Sequence, residues 1–103
     1  MQPINRIQKR EEFTFSSGGT TSNARSFEKY AAAVLYIPAE FNGDTLTIKS
    51  DAAGDTGFTI TAATGRYNFT ADELGKLFPM RNIIIVTSVA TSAAAIITAD
   101  FKS

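Results

Sequence analysis

Between residues 45 and 62 the chain reads TLTIKSDAAGDTGFTITA, in which apolar and polar side chains alternate on both sides of a turn-forming segment. Leu46 and Ile48 precede that segment, and Phe58 and Ile60 follow it. Successive side chains of a β-strand point to opposite faces, so each run places its apolar residues on one face. The segment between the runs is rich in Asp and Gly, which favour turns. The pattern predicts an antiparallel hairpin with one buried face.

Further short strands are predicted on both sides of this hairpin. Residues 27–37 and 82–87 are apolar on both faces and rich in β-branched or aromatic residues, which predicts two central strands covered on both sides. The three successive alanines within the first of these segments also favour a helix, but the pattern as a whole favours a strand. A strand over 13–15 precedes an exposed, mobile loop over 16–23, and the last strand is predicted over 93–101.

A short helix is predicted where the chain reads Thr-Ala-Asp-Glu over residues 70–73. In such a capping box the Thr70 hydroxyl accepts from the Glu73 amide, and the Glu73 carboxylate accepts from the Thr70 amide. Pro79 ends the helix. One face of this helix, expected to close an open end of the fold, carries the apolar residues Leu74, Leu77 and Phe78.

These elements predict an all-β fold, a β-sandwich of about seven strands with one short helix near 71–78. Jelly-roll and immunoglobulin-like topologies both fit the pattern. A chain of 103 residues has room for one core. We expect a single β-sandwich domain over 13–103, preceded by a flexible or partner-binding N-terminal arm over 1–12.

Composition excludes several classes of function. The chain has ten basic and ten acidic residues, so its formal net charge is zero and no cationic field attracts nucleic acid. It has no His, Cys or Trp, which removes the imidazole base, the thiolate nucleophile and the soft metal ligands. No stretch approaches the ~20 apolar residues that cross a bilayer. We expect a non-enzymatic protein without cofactor or metal, which binds neither nucleic acid nor membrane.

Partner binding is predicted for the N-terminal arm, where three basic residues lie beside two isoleucines. A flexible terminus and an arm that becomes ordered on a neighbouring subunit both fit this composition. The candidate binding residues are Ile4, Arg6, Ile7, Lys9 and Arg10.

Other candidate sites have simpler explanations. Turn formation accounts better than calcium binding for Asp44, Asp51 and Asp55, because Asp bonds its own backbone in turns. A glycosidase pair could be drawn from Glu40, Asp72, Glu73 and Asp100, although two of these are also explained by helix capping. An aromatic platform could be drawn from Tyr30, Tyr36 and Tyr67, although core or rim tyrosines explain them better.

Surface composition favours protein contact. Thr, Ser and Ala dominate the segments at 20–21 and 87–92, which predicts faces with little charge. Small side chains lose little rotamer freedom on burial, and charge is depleted at the centre of interfaces. Outward-facing positions of ordinary strands explain the same composition.

The segments 77–87 and 94–102 resemble the closing hairpin of small virion proteins of tailed bacteriophages. This resemblance implies a small β-sandwich that decorates and cements capsids, or that lies at the head-tail connector or in a fibre. The expected partner is then a major capsid protein or another virion protein, with the chain itself a dimer or trimer. The expected location is the virion, after synthesis in the host cytoplasm. A carbohydrate-binding module is the alternative, and a small hydrolase is less favoured.

Overall fold

A computed structural model of the chain describes residues 8–27, 30–50 and 57–102. The strands are β1 Gln8–Phe15, β2 Arg25–Ser26, β3 Ala32–Ile37, β4 Thr45–Ser50, β5 Phe58–Thr61, β6 Gly65–Asn68, β7 Asn82–Thr87 and β8 Ala95–Lys102. One α-helix, α1, covers Ala71–Leu77, and a single 3-10 turn covers Ala39–Phe41.

The strands form two four-stranded antiparallel sheets. Sheet I has the order β1-β8-β3-β6, and sheet II has the order β2-β7-β4-β5. The predicted all-β, sandwich-like fold is therefore confirmed, with one strand more than expected among the described residues. The jelly-roll or immunoglobulin-like type stays a prediction.

The core lies between the sheets and is built from alternate residues of their strands. Sheet I contributes Phe13, Phe15, Ala33, Leu35, Ile37, Ile97, Ala99 and Phe101, and sheet II contributes Leu46, Ile48, Phe58, Ile60, Ile83 and Ile85. This period of two is the pattern expected of sheets that bury one face each.

The hairpin predicted from the alternation is present as β4 and β5. Leu46 lies opposite Ile60, and Ile48 lies opposite Phe58, so the apolar residues of both strands share the inner face. Leu46 and Ile48 have no solvent exposure. Here the local pattern was sufficient because pairing partners are close in sequence.

The predicted capping of the helix is confirmed. The prediction of its buried face is wrong at one residue, Phe78. Thr70 Oγ1 accepts from Glu73 N at 3.2 Å, and Glu73 Oε1 accepts from Thr70 N at 2.9 Å. Leu74 and Leu77 are buried, but Phe78, the C-cap residue, is 40% exposed. Among the described residues, no helix combines the length and apolar character that a membrane span requires.

Sheet I takes in more of the N-terminus than expected. β1 begins at Gln8, and Gln8 to Phe15 pair continuously with Lys102 to Ala95 of β8. The boundary predicted between an arm and the domain at residue 12 is therefore wrong for 8–12, which belong to the sheet. Polar side chains at these positions hid the strand, because its partner lies at the other end of the chain. Residues 1–7 lie outside the described part.

The strand predicted over residues 27–37 is shorter than expected. β3 begins at Ala32 in sheet I, whereas β2 ends at Ser26 in sheet II. Phe27 and Tyr30 lie between the two strands and bury their rings in the core. β2 and β3 therefore belong to different sheets and are two separate strands.

The loop over residues 16–23 is hydrogen-bonded along its second half, and the expectation of a mobile loop is not supported. Thr20 O accepts from Thr87 N at 2.8 Å, and Ser22 N donates to Ile85 O at 2.9 Å. The loop therefore runs beside β7 and extends the edge of sheet II.

Candidate functional site

The structure describes two of the five arm residues selected from the sequence, and these two lie on different surfaces. Ile4, Arg6 and Ile7 lie outside the described residues. Lys9 and Arg10 are neighbours in β1, and strand alternation directs them to opposite faces of sheet I. Their predicted role in partner binding stays a prediction, and their positions suggest separate roles.

Lys9 belongs to a charged group that joins the two sheets. The Glu11 carboxylate lies 3.3 Å from Lys9 Nζ and 3.3 Å from Arg25 Nε. Lys9 and Glu11 belong to β1 of sheet I, whereas Arg25 belongs to β2 of sheet II. Arg25 Nε also donates to Glu12 O at 2.9 Å. These contacts join β1, an edge strand of sheet I, to β2, an edge strand of sheet II. Lys9 therefore has a structural role.

Arg10 lies on the outer face of sheet I. It forms a two-point ion pair with Asp100 of β8, with Nε to Oδ1 at 2.7 Å and Nη2 to Oδ2 at 2.9 Å. The hydrogen bond from Arg10 holds the pKa of Asp100 below its ordinary value, and the carboxylate raises the pKa of Arg10. Arg10 is 67% exposed in its side chain, so this pair contributes little to stability. Its effect is to fix the orientation of two charges.

Tyr36 lies beside this pair and contacts two guanidinium groups. The Cζ of Arg10 is 6.0 Å from the ring centroid, and the Cζ of Arg66 is 5.9 Å from it. Cation–π contacts at such distances and at an exposed site are weakly attractive. A surface depression of about 280 Å³ is lined by Arg10, Tyr36 and Thr98.

The strand register arranges these side chains in rows across sheet I. One row is Glu12, Thr98, Tyr36 and Arg66, and the next is Arg10, Asp100, Val34 and Asn68. Together these eight residues form what we call the Tyr36 face. Val34, Tyr36 and Thr98 are half-buried, whereas Glu12 and Arg66 at the two edges are exposed.

The outer face of sheet II has a different character. Thr45 lies opposite Thr61 and Thr47 opposite Thr59, and Thr47 also pairs with Val86. These five residues and Ile84, which pairs with Lys49, form what we call the threonine face. Among the described outward-facing residues of β4, β5 and β7, one side chain is charged. It is Lys49, at the margin of this face. The rest of the face is uncharged.

Of the segments chosen from the sequence for their low charge, 20–21 extends this face, because the exposed Thr21 is bridged to Val86, whereas the threonines of 87–92 do not contribute to it. Thr87 and Thr91 are buried, with 2% and 5% of their surface exposed. Thr87 lies on the inner side of β7, and Thr91 Oγ1 donates to Ser16 O at 2.8 Å. Composition pointed to an uncharged surface, but only strand pairing showed which threonines face outward.

The three tyrosines do not form a shared platform. Tyr30 is 1% exposed and stacks on Phe101 in the core, with ring centroids 4.9 Å apart. Tyr67 donates to Glu73 beside the helix, and Tyr36 lies on the outer face of sheet I. The aromatic-platform interpretation is therefore wrong.

The carboxylates considered for hydrolysis have separate local partners. Glu40 Oε1 accepts from Ser92 N at 2.9 Å and from Ser92 Oγ at 2.7 Å, and these bonds lower the pKa of Glu40. The pKa of Asp100 is also lowered, chiefly by Arg10. A general acid needs a raised pKa, so neither carboxylate has the environment of one.

Acidic clusters were also considered for metal binding. Within 8–27, 30–50 and 57–102, no three acidic side chains converge to hold a metal ion. Asp51 and Asp55 of the calcium interpretation lie outside these ranges.

Sequence reasoning did not place Glu12, Arg66 or Asp100 on the same outer face as Tyr36. Each lies on a different strand, and the pairings β1 with β8 and β3 with β6 connect distant parts of the chain. The alternation of Arg10 and Glu12 in the first strand was the available signal, since it places both on one face.

Comparison with protein-family models, curated proteins and solved structures finds no match for this chain. Function is therefore inferred from the residues and their geometry.

Proposed function

We propose that the chain is a non-enzymatic structural protein of a bacteriophage virion, and that it cements a shell by binding the major capsid protein or another virion protein. The proposal is supported chiefly by the threonine face, a sheet surface of small and β-branched side chains with Lys49 at its margin. Charge depletion of this kind is typical of the centre of a protein interface.

Binding through such a face has a low entropic cost. Threonine, valine and isoleucine have few rotamers to lose, and their strands are held in place by pairing on the sheet. A flat and rigid surface therefore needs little reorganisation when it meets a partner. Contacts that exist only in the assembled shell stabilise that shell by mass action.

The first experiment asks whether the chain is a component of particles. Virus particles from an infected culture that produces the chain are purified on a density gradient and analysed by mass spectrometry. We expect the chain to co-migrate with intact particles in a fixed ratio to the major shell protein. Its absence from particles would overturn the virion role.

The second experiment tests the threonine face. Particles stripped of the chain are incubated with purified wild type or with Thr59→Glu, which places a charge on the exposed edge strand β5, where charges are tolerated in folded sheets. We expect about tenfold weaker binding of the variant, equivalent to about 1.4 kcal/mol. Lys76→Glu on the exposed side of α1 is the control and should bind as wild type. Equal binding of both variants, with unchanged circular dichroism, would exclude the threonine face as the contact surface.

A further inference from the structure

The Tyr36 face has opposite charges at its two edges. Glu12 on β1 and Arg66 on β6 belong to the same row, with Thr98 and Tyr36 between them. Three strand spacings separate the two edge positions, which corresponds to about 14 Å. The row is therefore negative at one end and positive at the other.

These two edge charges have no ion-pair partner among the described residues. The ion pairs of this part of the chain involve Lys9, Glu11 and Arg25 on the inner side and Arg10 with Asp100 on the outer side. The contact of the Arg66 guanidinium is with the Tyr36 ring. Arg10 and Asp100 neutralise one another, so Glu12 and Arg66 determine how charge is distributed across the row.

The centre of the face has the composition of an interface. Val34 and Tyr36 lie on the central strand β3, and Ile96 on β8, in the next row outside the Tyr36 face, is 44% exposed. Tyrosine and arginine are the residues that contribute most to binding at protein interfaces, with charged residues at the rim. The guanidinium groups of Arg10 and Arg66 lie 6.0 and 5.9 Å from the centroid of the Tyr36 ring, so both chemical types occur together on this face.

We propose that the Tyr36 face binds a second copy of this chain in a symmetric dimer. In a face-to-face pair with the twofold axis parallel to the strands and between β8 and β3, each row meets the same row in reverse order. Glu12 then faces Arg66 of the second copy, and Arg66 faces Glu12 of the second copy. In the same way, Thr98 of each copy faces Tyr36 of the other copy. A twofold interface requires this self-complementarity.

One residue opposes the arrangement. Lys102 lies on the same outer side of β8 as Asp100, and two copies of it approach one another near the axis. It lies in the row beyond Asp100, next to the Tyr36 face, and its long side chain can extend into water, so the repulsion falls at the rim.

The dimer does not depend on the proposed virion role, but it would extend it. Face-to-face contact of two copies of sheet I leaves their two threonine faces on opposite outer surfaces. The assembly then has two identical contact faces that point away from one another. Such a bivalent protein can bridge two neighbouring shell subunits and gains avidity from the second contact.

The test uses charge reversal at the two edges. Sedimentation equilibrium at low ionic strength should show a dimer for wild type, with a dissociation constant that rises as salt is added. Glu12→Arg places two positive groups opposite each other, and Arg66→Glu places two negative groups opposite each other. We expect each single variant to weaken the dimer by at least about tenfold. The double variant Glu12→Arg/Arg66→Glu restores opposite charges and should recover most of the affinity.

Mixing the single variants gives a second readout. The Glu12→Arg face then has only positive edges and the Arg66→Glu face only negative edges, so the two should form a heterodimer when neither self-associates. The control Lys76→Glu should dimerise as wild type. A monomeric wild type at millimolar concentration, a trimer, or a double variant no tighter than the singles would overturn the proposal. Circular dichroism of all variants identifies any loss of folding.

Discussion

Tyr67 Oη donates a 2.5 Å hydrogen bond to Glu73 Oε2, while Oε1 of the same carboxylate accepts from Thr70 N. One side chain therefore caps helix α1 and ties it to the edge strand β6. Burial and the adjacent carboxylate raise the pKa of Tyr67 to about 12. The helix is short, so these contacts and the buried Leu74 and Leu77 hold it in place.

The raised pKa of Tyr67 predicts a loss of stability in alkali. The unfolded phenol ionises near 10, whereas the folded phenol keeps its proton up to about 12. Between these values the folded state binds more protons than the unfolded state, so the free energy of unfolding falls as pH rises. The stabilisation from this group is fully present below pH 10 and is lost as pH passes through about 12.

Urea unfolding of wild type and Tyr67→Phe at neutral and alkaline pH measures this effect. At pH 8 we expect the variant to be less stable by about 1 kcal/mol, the usual value of one hydrogen bond. The difference should shrink above pH 10, because only wild type loses a phenolic proton at this position. A difference that stays constant up to pH 12 would show that the Tyr67 proton is not linked to folding.

The sequence predicted those elements whose cause is local. The Thr70–Glu73 box involves residues three apart, and the β4–β5 hairpin joins neighbours in the chain. The alternation of Leu46 and Ile48 identified the inner face without any knowledge of the other sheet. Where the cause was distant, prediction failed: 8–12 form a strand because β8 lies beside them.

Gly57 is expected to be required for the entry into β5. Its φ of +58° lies in the left-handed region, and a Cβ built there would be 1.8 Å from Ile48 O. Gly57→Ala therefore adds left-handed strain of about 1–2 kcal/mol and a backbone shift in β4. We expect a marked decrease of the urea midpoint.

Gly75 is the matched control for this substitution. It lies in α1, and a Cβ there would meet nothing within 4 Å. Gly75→Ala should increase stability by about 0.5–1 kcal/mol, because alanine favours the helix. If Gly57→Ala raised the urea midpoint as Gly75→Ala does, the close contact between Gly57 and β4 would be contradicted.

Phe101 is predicted to be the most sensitive position of the aromatic cluster at one end of the core. Its ring stacks on Tyr30 at 4.9 Å and meets Phe27 edge to face at 5.7 Å. Phe101→Ala should lower the free energy of unfolding by about 3–5 kcal/mol. Val89→Ala, at a loop residue that is 55% exposed, should change it by less than about 0.5 kcal/mol. Similar effects of the two substitutions in urea unfolding would contradict the assigned core.

The candidate surfaces were less predictable than the fold. Charge counting showed that no cationic field exists, but it could not show that Glu12 and Arg66 end one row of side chains. Tyr36 was grouped with Tyr30 and Tyr67 because all three are aromatic, yet each belongs to a different environment. Residue type is local information, whereas a surface is defined by pairing between distant strands.

Two truncations distinguish the role of residues 1–7 from that of the β1 residues 8–12 in sheet I. Removing residues 1–7 takes away Ile4, Arg6 and Ile7 but keeps β1, whereas removing 1–12 also deletes Gln8–Glu12 and their pairing with β8. We expect the longer truncation to be less stable than the shorter one by about 2–4 kcal/mol in urea, from lost strand hydrogen bonds and the lost Glu11 ion pairs. Similar stability of both truncations would mean that Gln8–Glu12 contribute nothing to the sheet.

The shorter truncation then tests partner binding by the arm on stripped particles. If Ile4, Arg6 and Ile7 bind a neighbouring subunit, retention on particles falls while the urea midpoint stays near that of the full chain. Unchanged retention would remove these residues from the mechanism and leave the threonine face as the contact. The longer truncation cannot make this distinction, because it also removes part of β1 from the edge of sheet I, and both unfolding and a lost contact would lower retention.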